Sequence, residues 1–323
     1  MRTNHRRPCV SIPFLPVLGA ALLAGAAPQA TAAQEGLAMQ TDASTVTVRA
    51  GERPVLEYRF AEVPFKPYVK ALLTPEGVNV LRDAPHDHLH HHALMFAVGL
   101  AGVDFWSEAP TCGKQVHVAF DRREAAGGKA VLAEQLDWVG PDAKEPVARE
   151  VREVTAFDEP GVSLLVWRTR LEAGPGRAAV PVTGSHYFGL GLRPAAGMDQ
   201  AAEFLPADPA APRDNVRGDE NVFPSAWLAV TGTADGKPVT VAMFDHPANP
   251  RPVRWFTMAK PFAYMSATLN LYKEPMTLEA GRPLALTYGV AAWDGKKSAD
   301  EVRKVYERWL ALVGAGGAGG KAP

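Results

Sequence analysis

Cysteine is nearly absent from this chain of 323 residues. Its two cysteines are Cys9 and Cys112, and Cys9 lies in an N-terminal segment that we interpret as a removable leader. The remaining thiol would then have no partner within the chain, which excludes a disulfide-stapled fold. Stability must come from a hydrophobic core, and a chain of this length can build one of adequate size.

A basic stripe is also lacking. The 34 basic residues are balanced by 35 acidic ones, and without the three arginines of the leader 31 basic residues face those 35 acids. Nucleic acid is therefore a poor candidate partner, because its recognition needs clustered positive charge.

Long apolar runs are confined to the first residues, so the rest of the chain lacks the roughly 20 apolar residues of a membrane span. The leader has Arg2, Arg6 and Arg7, then an apolar core over 10–27, then the small residues 30–32. This order is typical of a secretory signal peptide. We predict a signal peptide over 1–32 and export to the periplasm or outside the cell. The alternative is a membrane anchor, which the prolines in the apolar core disfavour.

The chain is rich in short segments in which apolar and polar residues alternate, and Gly, Pro, Asp and Asn separate these segments. Ser44–Arg49 and Gln115–Phe120 alternate with a period of two, and Val162–Leu171 is dense in β-branched and aromatic residues. Such spacing predicts an all-β fold, a large antiparallel β-sandwich. We expect a flexible N-terminal segment over 33–43, one sandwich domain over 44–313 and a disordered glycine-rich tail over 314–323.

One helix is predicted near the C-terminus. Ser298 and Glu301 have the spacing of a capping box, and apolar residues from Val302 onward recur on one helical face. By contrast, 193–225 is rich in Pro, Ala, Asp and Asn and has no sustained period. A loop this long in a domain is either functional or a solvated surface segment.

The densest chemical signal is His86-Asp-His-Leu-His-His-His92, which contains five of the nine histidines. If this run is extended, alternate histidines point to one side, about 6.6 Å apart. His88 and His90 are then plausible ligands of Zn, Fe or Mn. The cupin motif is excluded because no glutamate follows shortly after. The alternative is a structural network of hydrogen-bonded or partly solvated histidines.

Two further segments carry candidates. In Gly184–Arg193, His186 and Arg193 could hold an anionic or hydroxyl-rich ligand, unless this is only a core strand rich in glycine. In the proline-pinned segment 244–252, Asp245 could orient His246, as carboxylates often fix an imidazole tautomer. Trp106, Trp227 and Trp255 could stack on a sugar ring, although tryptophan is more often buried.

Two nucleophile classes find little support. The chain has no Gly-x-Ser-x-Gly elbow of a serine hydrolase. Cys112 is near Lys114 and His117 in sequence, but a lone thiol in an exported protein is weak support for a nucleophile.

Five motifs together resemble the bacterial PmoA-like family, named after a subunit of particulate methane monooxygenase. The resemblance spans roughly residues 45–312. That family has an arginine after the two histidines, where this chain has His92. The motifs are Asp87-His-Leu-His-His91, Gly102-Val-Asp-Phe-Trp106, His186-Tyr-Phe-Gly-Leu-Gly-Leu-Arg193, Asp245-His-Pro-Ala-Asn-Pro-Arg251 and Asp294-Gly295.

The resemblance implies a fold rather than the activity in that name. A methane monooxygenase subunit crosses the membrane several times, and this chain lacks the apolar spans to do so. The strand pattern is similar to the large supersandwiches of the galactose-mutarotase type, which place histidines and a carboxylate on a concave sheet to move protons on a sugar. This fold-level analogy gives only weak support for function.

The leading hypothesis is a carbohydrate-active enzyme that works by epimerisation, elimination or hydrolysis. The alternatives are a non-catalytic carbohydrate-binding protein and a structural envelope protein. The ligand is expected to be a small molecule or an oligosaccharide, and the oligomeric state is left open. The predicted catalytic residues are His88, His90, His186, Asp245 and His246. The predicted substrate-binding residues are Trp106, His117, Arg193, Asn249 and Arg251.

Overall fold

A computed structural model describes Met1 and residues 36–316, with side chains to Gly314. The predicted signal peptide and residues 317–323 lie outside the described residues. The described strands and helix from residue 36 onward belong to one compact unit. Within residues 36–316, no helix has the length and apolar character needed to cross a membrane.

Strands dominate the described part of the chain. The first eleven are β1 (Leu37–Thr41), β2 (Thr45–Ala50), β3 (Arg53–Arg59), β4 (Tyr68–Leu72), β5 (Leu94–Ala97), β6 (Gly99–Leu100), β7 (Val103–Asp104), β8 (Lys114–Ala126), β9 (Lys129–Val139), β10 (Ala148–Glu159) and β11 (Val162–Ala173). The others are β12 (Ala179–Thr183), β13 (Gly189–Leu192), β14 (Glu203–Pro206), β15 (Asp214–Arg217), β16 (Glu220–Pro224), β17 (Trp227–Ala234), β18 (Lys237–Asp245), β19 (Arg254–Met258), β20 (Tyr264–Thr268), β21 (Met276–Glu279) and β22 (Leu284–Asp294). A 3₁₀ turn spans Ala196–Met198 and the helix α1 spans Ala299–Gly316.

The strands form three antiparallel sheets. The largest has ten strands in the order β1-β2-β3-β4-β5-β13-β20-β19-β16-β15. The second has eight in the order β14-β17-β18-β22-β11-β10-β9-β8, and the third has four in the order β21-β12-β6-β7. This arrangement confirms the predicted all-β sandwich with a C-terminal helix.

The eight-stranded sheet is buried on both faces where α1 covers it. Along β11, Leu165 and Trp167 belong to the main core, whereas Leu164 and Val166 pack in a second cluster with Trp309 of α1. Successive side chains of a strand point to opposite faces. The continuous apolar run of β11 therefore reflects apolar contacts on both sides rather than alternation between core and solvent.

Two predicted boundaries are wrong. The start predicted to be flexible contains β1, which pairs in register with β2 from Leu37 opposite Ala50 to Thr41 opposite Val46. At the other end, the helix continues through Gly316, so the first residues of the predicted disordered tail are helical. In both cases backbone hydrogen bonds form regular secondary structure in a segment whose composition alone does not predict a strand or a helix.

The capping box at the start of α1 gives the first stability prediction. Glu301 accepts the Ser298 backbone N–H at 2.8 Å, and the Ser298 hydroxyl accepts the Glu301 N–H at 3.4 Å. Ser298→Ala removes one of these reciprocal bonds, and we expect it to lower the free energy of unfolding by about 1 kcal/mol. Urea unfolding measures this. A loss close to zero would mean that water caps the helix equally well.

Candidate functional site

The histidine run forms two successive turns rather than a strand. The His88 N–H donates to the Pro85 carbonyl and the His91 N–H to the His88 carbonyl, each at 2.9 Å. The extended geometry, on which the spacing of about 6.6 Å between alternate histidines depended, is therefore not present. The turns place the rings of His88 and His91 face to face, with centroids 4.7 Å apart, and the His90 ring lies 4.6 Å from His91. We call His88, His90 and His91 the histidine turn.

The histidine turn lines a cavity of about 690 Å³. The other lining residues come mainly from β15, β16, β19 and β20, which are neighbours in the ten-stranded sheet, and from the segments that join them. It has an aromatic wall and a polar rim. The wall consists of Tyr187, Phe256, Phe262 and Tyr264, and the rim includes Ser107, Arg217, Asp219, Glu220 and Lys260.

The carboxylate of Glu220 is the best-held polar group of this cavity. One oxygen is 2.9 Å from His186 Nε2, and the other accepts from Arg217 Nε at 2.9 Å. Glu220 is only 7% exposed, and charge-assisted hydrogen bonds of this kind fix a carboxylate firmly. The structure therefore connects two segments that the sequence keeps apart, with the predicted site residue His186 next to a carboxylate that was not predicted.

The neighbouring residue Asp219 ties the β15–β16 hairpin to the sheet. Its carboxylate accepts the backbone N–H groups of Ala259 at 2.8 Å and Lys260 at 2.9 Å. Because these amides follow β19, the hairpin is held against the strand that supplies Phe256. This contact positions Glu220 on the rim.

Gly191 makes room for the aromatic wall. A Cβ at this position would lie 2.0 Å from the Tyr264 hydroxyl and 2.7 Å from Trp106. The glycine therefore allows the hydroxyl end of Tyr264 to approach the backbone of β13, which is the close approach that a glycine in a strand permits. Trp106 is fully buried behind this wall and stacks on Phe188 at 5.1 Å.

Burial lowers the pKa of two histidines of the turn, His90 and His91. It lowers the pKa of His91 to about 2, with further lowering by His90, His88 and Arg193. Burial, followed by the charge of Lys66, also lowers the pKa of His90. His91 therefore remains a neutral imidazole near pH 7.

This shift predicts acid sensitivity. An unfolded histidine has a pKa of about 6.5, so below that pH the unfolded chain binds a proton that folded His91 does not. The free energy of unfolding should therefore fall as the pH falls, by up to about 1.4 kcal/mol per pH unit from His91 alone. His91→Gln should have a shallower slope between pH 6.5 and 5 in urea unfolding. Parallel slopes for the two proteins would refute the assignment.

His92 points away from this group and anchors the turn. Its Nδ1 is 3.0 Å from Asp83 and its Nε2 is 2.9 Å from Glu108, which also accepts from Lys66 at 2.6 Å. Burial alone would lower the His92 pKa, but the two carboxylates raise it. Because its ring nitrogens are both engaged, His92 holds the end of the histidine turn against the protein interior.

The side chains of the Asp245–Arg251 segment hold this loop in place through hydrogen bonds. The Asp245 carboxylate accepts from Asn249 Nδ2 at 2.7 Å and from the Val253 N–H at 3.0 Å. Arg251 donates to the carbonyls of Leu269 and Glu274, at 2.8 and 2.7 Å. Asn249 also exchanges two hydrogen bonds with the backbone of Thr287. These contacts give Asn249 and Arg251 Nη1 a role in holding the loop, and their role as substrate anchors stays a prediction.

His246 lies apart from the histidine turn. It lines a second cavity of about 480 Å³ together with Asp245, Asn249 and Tyr306. Its Nδ1 accepts the Ala248 N–H at 3.2 Å, while the Asp245 carboxylate is occupied as described above. The prediction that Asp245 orients the His246 ring is therefore wrong, and neither residue is among those lining the first cavity.

His117 and Arg193 occupy two further environments. His117 lies on β8, where Nδ1 is 2.6 Å from the buried carboxylate of Glu134 and the ring packs against Phe60 and Phe120. Arg193 is fully buried beneath the first cavity, with its guanidinium 3.7 Å from the centre of the Phe262 ring. Of these two predicted ligand-binding residues, only Arg193 adjoins the histidine turn.

The predicted metal ligands His88 and His90 are not part of a larger cluster of metal-binding side chains among the described residues. Within the part of the chain that the structure describes, no three His, Cys, Asp or Glu side chains are arranged to hold an ion together. The rings of the two predicted ligands, His88 and His90, have centroids 5.8 Å apart and planes inclined at 57°. Zinc, iron or manganese at His88 and His90 stays a prediction that metal analysis of the purified protein would test.

A family model matches residues 45–307, and its description is a family of unknown function, DUF6807. The chain belongs to this family. The predicted membership of the PmoA-like family is therefore wrong, because the matching model is a different one. No curated protein matches the chain.

Several solved structures that are similar to this chain are α-galactosidases, and the two Geobacillus enzymes are described as GH36. The enzyme AgaB of Geobacillus stearothermophilus has a TM-score of 0.51 and 11% identity, over 81% of this chain and 41% of that one. AgaA of the same organism has a TM-score of 0.46 and 10% identity, over 81% and 41%. The Lactobacillus brevis enzyme has a TM-score of 0.46 and 6% identity, over 80% and 39%. The chain thus spans about two fifths of their length, and the likeness to AgaB supports the sandwich fold.

Sequence reasoning missed the second half of the site. Glu220 and Arg217 lie in the stretch without periodicity, and Tyr187, Phe256 and Phe262 look like ordinary core residues of strands or their ends. The one available signal was the polar run 214–221 inside a long loop, which is a common location of functional residues.

Proposed function

We propose that the protein is an enzyme that acts on a carbohydrate by acid–base chemistry in the cavity of the histidine turn. One observation carries this proposal. The histidine turn and Glu220 are more than 120 residues apart in sequence, yet they line the same cavity, which has an aromatic wall.

The shape and lining of the cavity suit a sugar. Small-molecule sites are mostly apolar clefts with a few placed polar groups, and a volume of about 300–1,000 Å³ is usual. Tyr187 and Phe256 offer ring faces and edges to the apolar side of a pyranose. The rim supplies hydrogen-bonding groups for its hydroxyls.

The chemistry assigned to the site is proton transfer. Glu220 is a carboxylate held by two partners at the rim, which suits a general base or acid. His90 is a neutral imidazole at neutral pH because burial lowers its pKa, so it can accept a proton or donate one in a hydrogen bond. The sandwich of AgaB belongs to an α-galactosidase, and this supports carbohydrate as the substrate class without fixing the reaction.

The test is turnover of a panel of mono- and oligosaccharides by the purified protein, followed by NMR spectroscopy of the products. We expect one sugar class to be converted, and conversion to be lost in a His90→Gln variant. Sugar binding without conversion would instead favour a non-catalytic carbohydrate-binding protein. No binding of any sugar would contradict both.

We also propose that the protein is exported. The proposal is supported by the arginines, apolar core and Ala30-Thr31-Ala32 of the leader, which together follow the cleavage rule. N-terminal sequencing of protein from the native host should find Ala33, or a residue close to it, as the first residue. An intact Met1 would refute export by this route.

A further inference from the structure

Two buried polar side chains beside the cavity lack hydrogen-bond partners. Among the described residues, His91 Nδ1 has none, and neither do Nε and Nη1 of Arg193. His91 is 7% exposed and Arg193 is fully buried. Buried polar groups in proteins are nearly always hydrogen-bonded, so the exceptions require an explanation.

Both side chains pack on the same ring. The Arg193 guanidinium lies 3.7 Å from the centre of Phe262, and the His91 ring centre lies 5.6 Å from it. The Arg193 backbone N–H also donates to Ala93 at 2.7 Å, two residues after His91. Arg193 therefore lies directly behind the histidine turn and Phe262, which both line the cavity.

The charge of Arg193 is only partly compensated. Its Nη2 is 3.5 Å from an oxygen of Asp199, and that same oxygen accepts from Arg82 at 2.7 Å. The groups whose charges act on His91 are His90, His88 and Asp87 on its own turn and Arg193, which directly follows β13. Arg193 is the one of these that stays positively charged at neutral pH, and the opposing effect of Asp87 is the smallest. The charge of Arg193 therefore favours a neutral His91 and a negative oxygen beside it.

We propose that His91, with Arg193 behind it, forms an oxyanion site, so that the carbohydrate carries a negatively charged oxygen on a planar carbon, either when it binds or after a proton has been removed from it. This inference rests on the proposed function and names its substrate class. His91 lines the cavity and touches the ligand through Nε2–H, because its Nδ1 is buried, and Arg193 is a positioning residue that acts through the field it creates. Neutral histidines are known to polarise carbonyl groups in this way.

Two kinds of sugar can present such an oxygen to His91. One is the carboxylate of a sugar acid. The other is the carbonyl of a keto sugar, in which the C–H bond next to the carbonyl breaks and Glu220 takes the proton. The electron pair then passes to the carbonyl oxygen, which the His91 N–H stabilises. Return of the proton to the same carbon completes this step without any oxidant or reductant.

The first experiment measures binding of glucuronate, galacturonate and gluconate beside glucose and galactose, by calorimetry. We expect the wild type to bind the sugar acids with an affinity about tenfold higher, or more, than that of His91→Phe. Phenylalanine keeps an aromatic ring at this position but has no N–H. His91→Gln, which has an N–H donor, should recover part of the affinity. Arg193→Met should weaken binding of the acids more than binding of the neutral sugars, and Arg303→Met is the control on the exposed face of α1.

The second experiment incubates fructose and tagatose with the protein in deuterated water and follows loss of the C–H signal by NMR. Exchange that disappears in His91→Phe identifies the keto sugar as the source. Tight binding of the acids without exchange identifies the carboxylate. Unchanged binding and exchange in His91→Phe would overturn the inference, and the proposed function would still stand if His90→Gln abolished conversion of another sugar.

Discussion

Glutamine in place of Glu220 is expected to reduce turnover of the carbohydrate substrate by about 10²–10⁴-fold, the usual contribution of a general acid or base. Glutamine keeps the shape of the side chain and can still accept from Arg217, but it cannot take a proton from substrate. The substrate should bind with an affinity near that of the wild type. Steady-state kinetics of Glu220→Gln measures both quantities.

The matched control is Glu203→Gln. Glu203 has an exposed side chain and its partner is Lys296, so the same chemical change there should leave turnover unaltered. A thermal unfolding curve of Glu220→Gln separates loss of chemistry from loss of fold. Full turnover by a folded Glu220→Gln protein would remove this carboxylate from the mechanism.

The second large effect concerns the buried network on the eight-stranded sheet. Arg152 and Glu150 are both fully buried side chains, with Arg152 Nη2 2.8 Å from Glu150. Arg152 also donates to Gln115 at 2.7 Å and to the Pro67 carbonyl at 2.9 Å. We expect Arg152→Met to lower the free energy of unfolding by about 3–5 kcal/mol, because it leaves the Glu150 charge buried without its partner.

Two comparisons make this prediction specific. Arg122→Met removes an arginine that is 44% exposed and pairs with Glu153, and it should cost less than about 1 kcal/mol. Adding Glu150→Gln to Arg152→Met should recover part of the loss, since glutamine needs no counter-charge. Urea unfolding measures all three variants. Equal losses in Arg152→Met and Arg122→Met would show that the buried pair contributes no more than an exposed one.

Hydrophobic pattern and capping were enough to predict the fold class and the helix. Val162–Leu171 corresponds to β11, and Ser298 begins the capping box of α1. Such features are local, because side-chain alternation and a cap involve residues close in sequence. The β15–β16 hairpin was not predicted, since its strands are short and polar and are ordered by contacts such as that of Asp219 with Ala259.

The site was only partly predictable from the sequence, because its geometry depends on hydrogen bonds that the sequence pattern does not show. The histidine turn is conspicuous in composition, but its backbone hydrogen bonds to Pro85 and His88 change which side chains share a face. Asp245 and Arg251 look like site residues because they are polar and flank prolines. Their partners include backbone groups, at Val253 for Asp245 and at Leu269 for Arg251, which no sequence pattern shows.

The most direct test of the central claim is a crystal structure of the protein soaked with the sugar that stabilises it most in a thermal shift screen. We predict the sugar ring against Tyr187 and Phe256, with a hydroxyl or carbonyl group within hydrogen-bond distance of Glu220 and the histidine turn. A sugar bound instead in the second cavity, beside His246 and Tyr306, would contradict the assignment of the functional site.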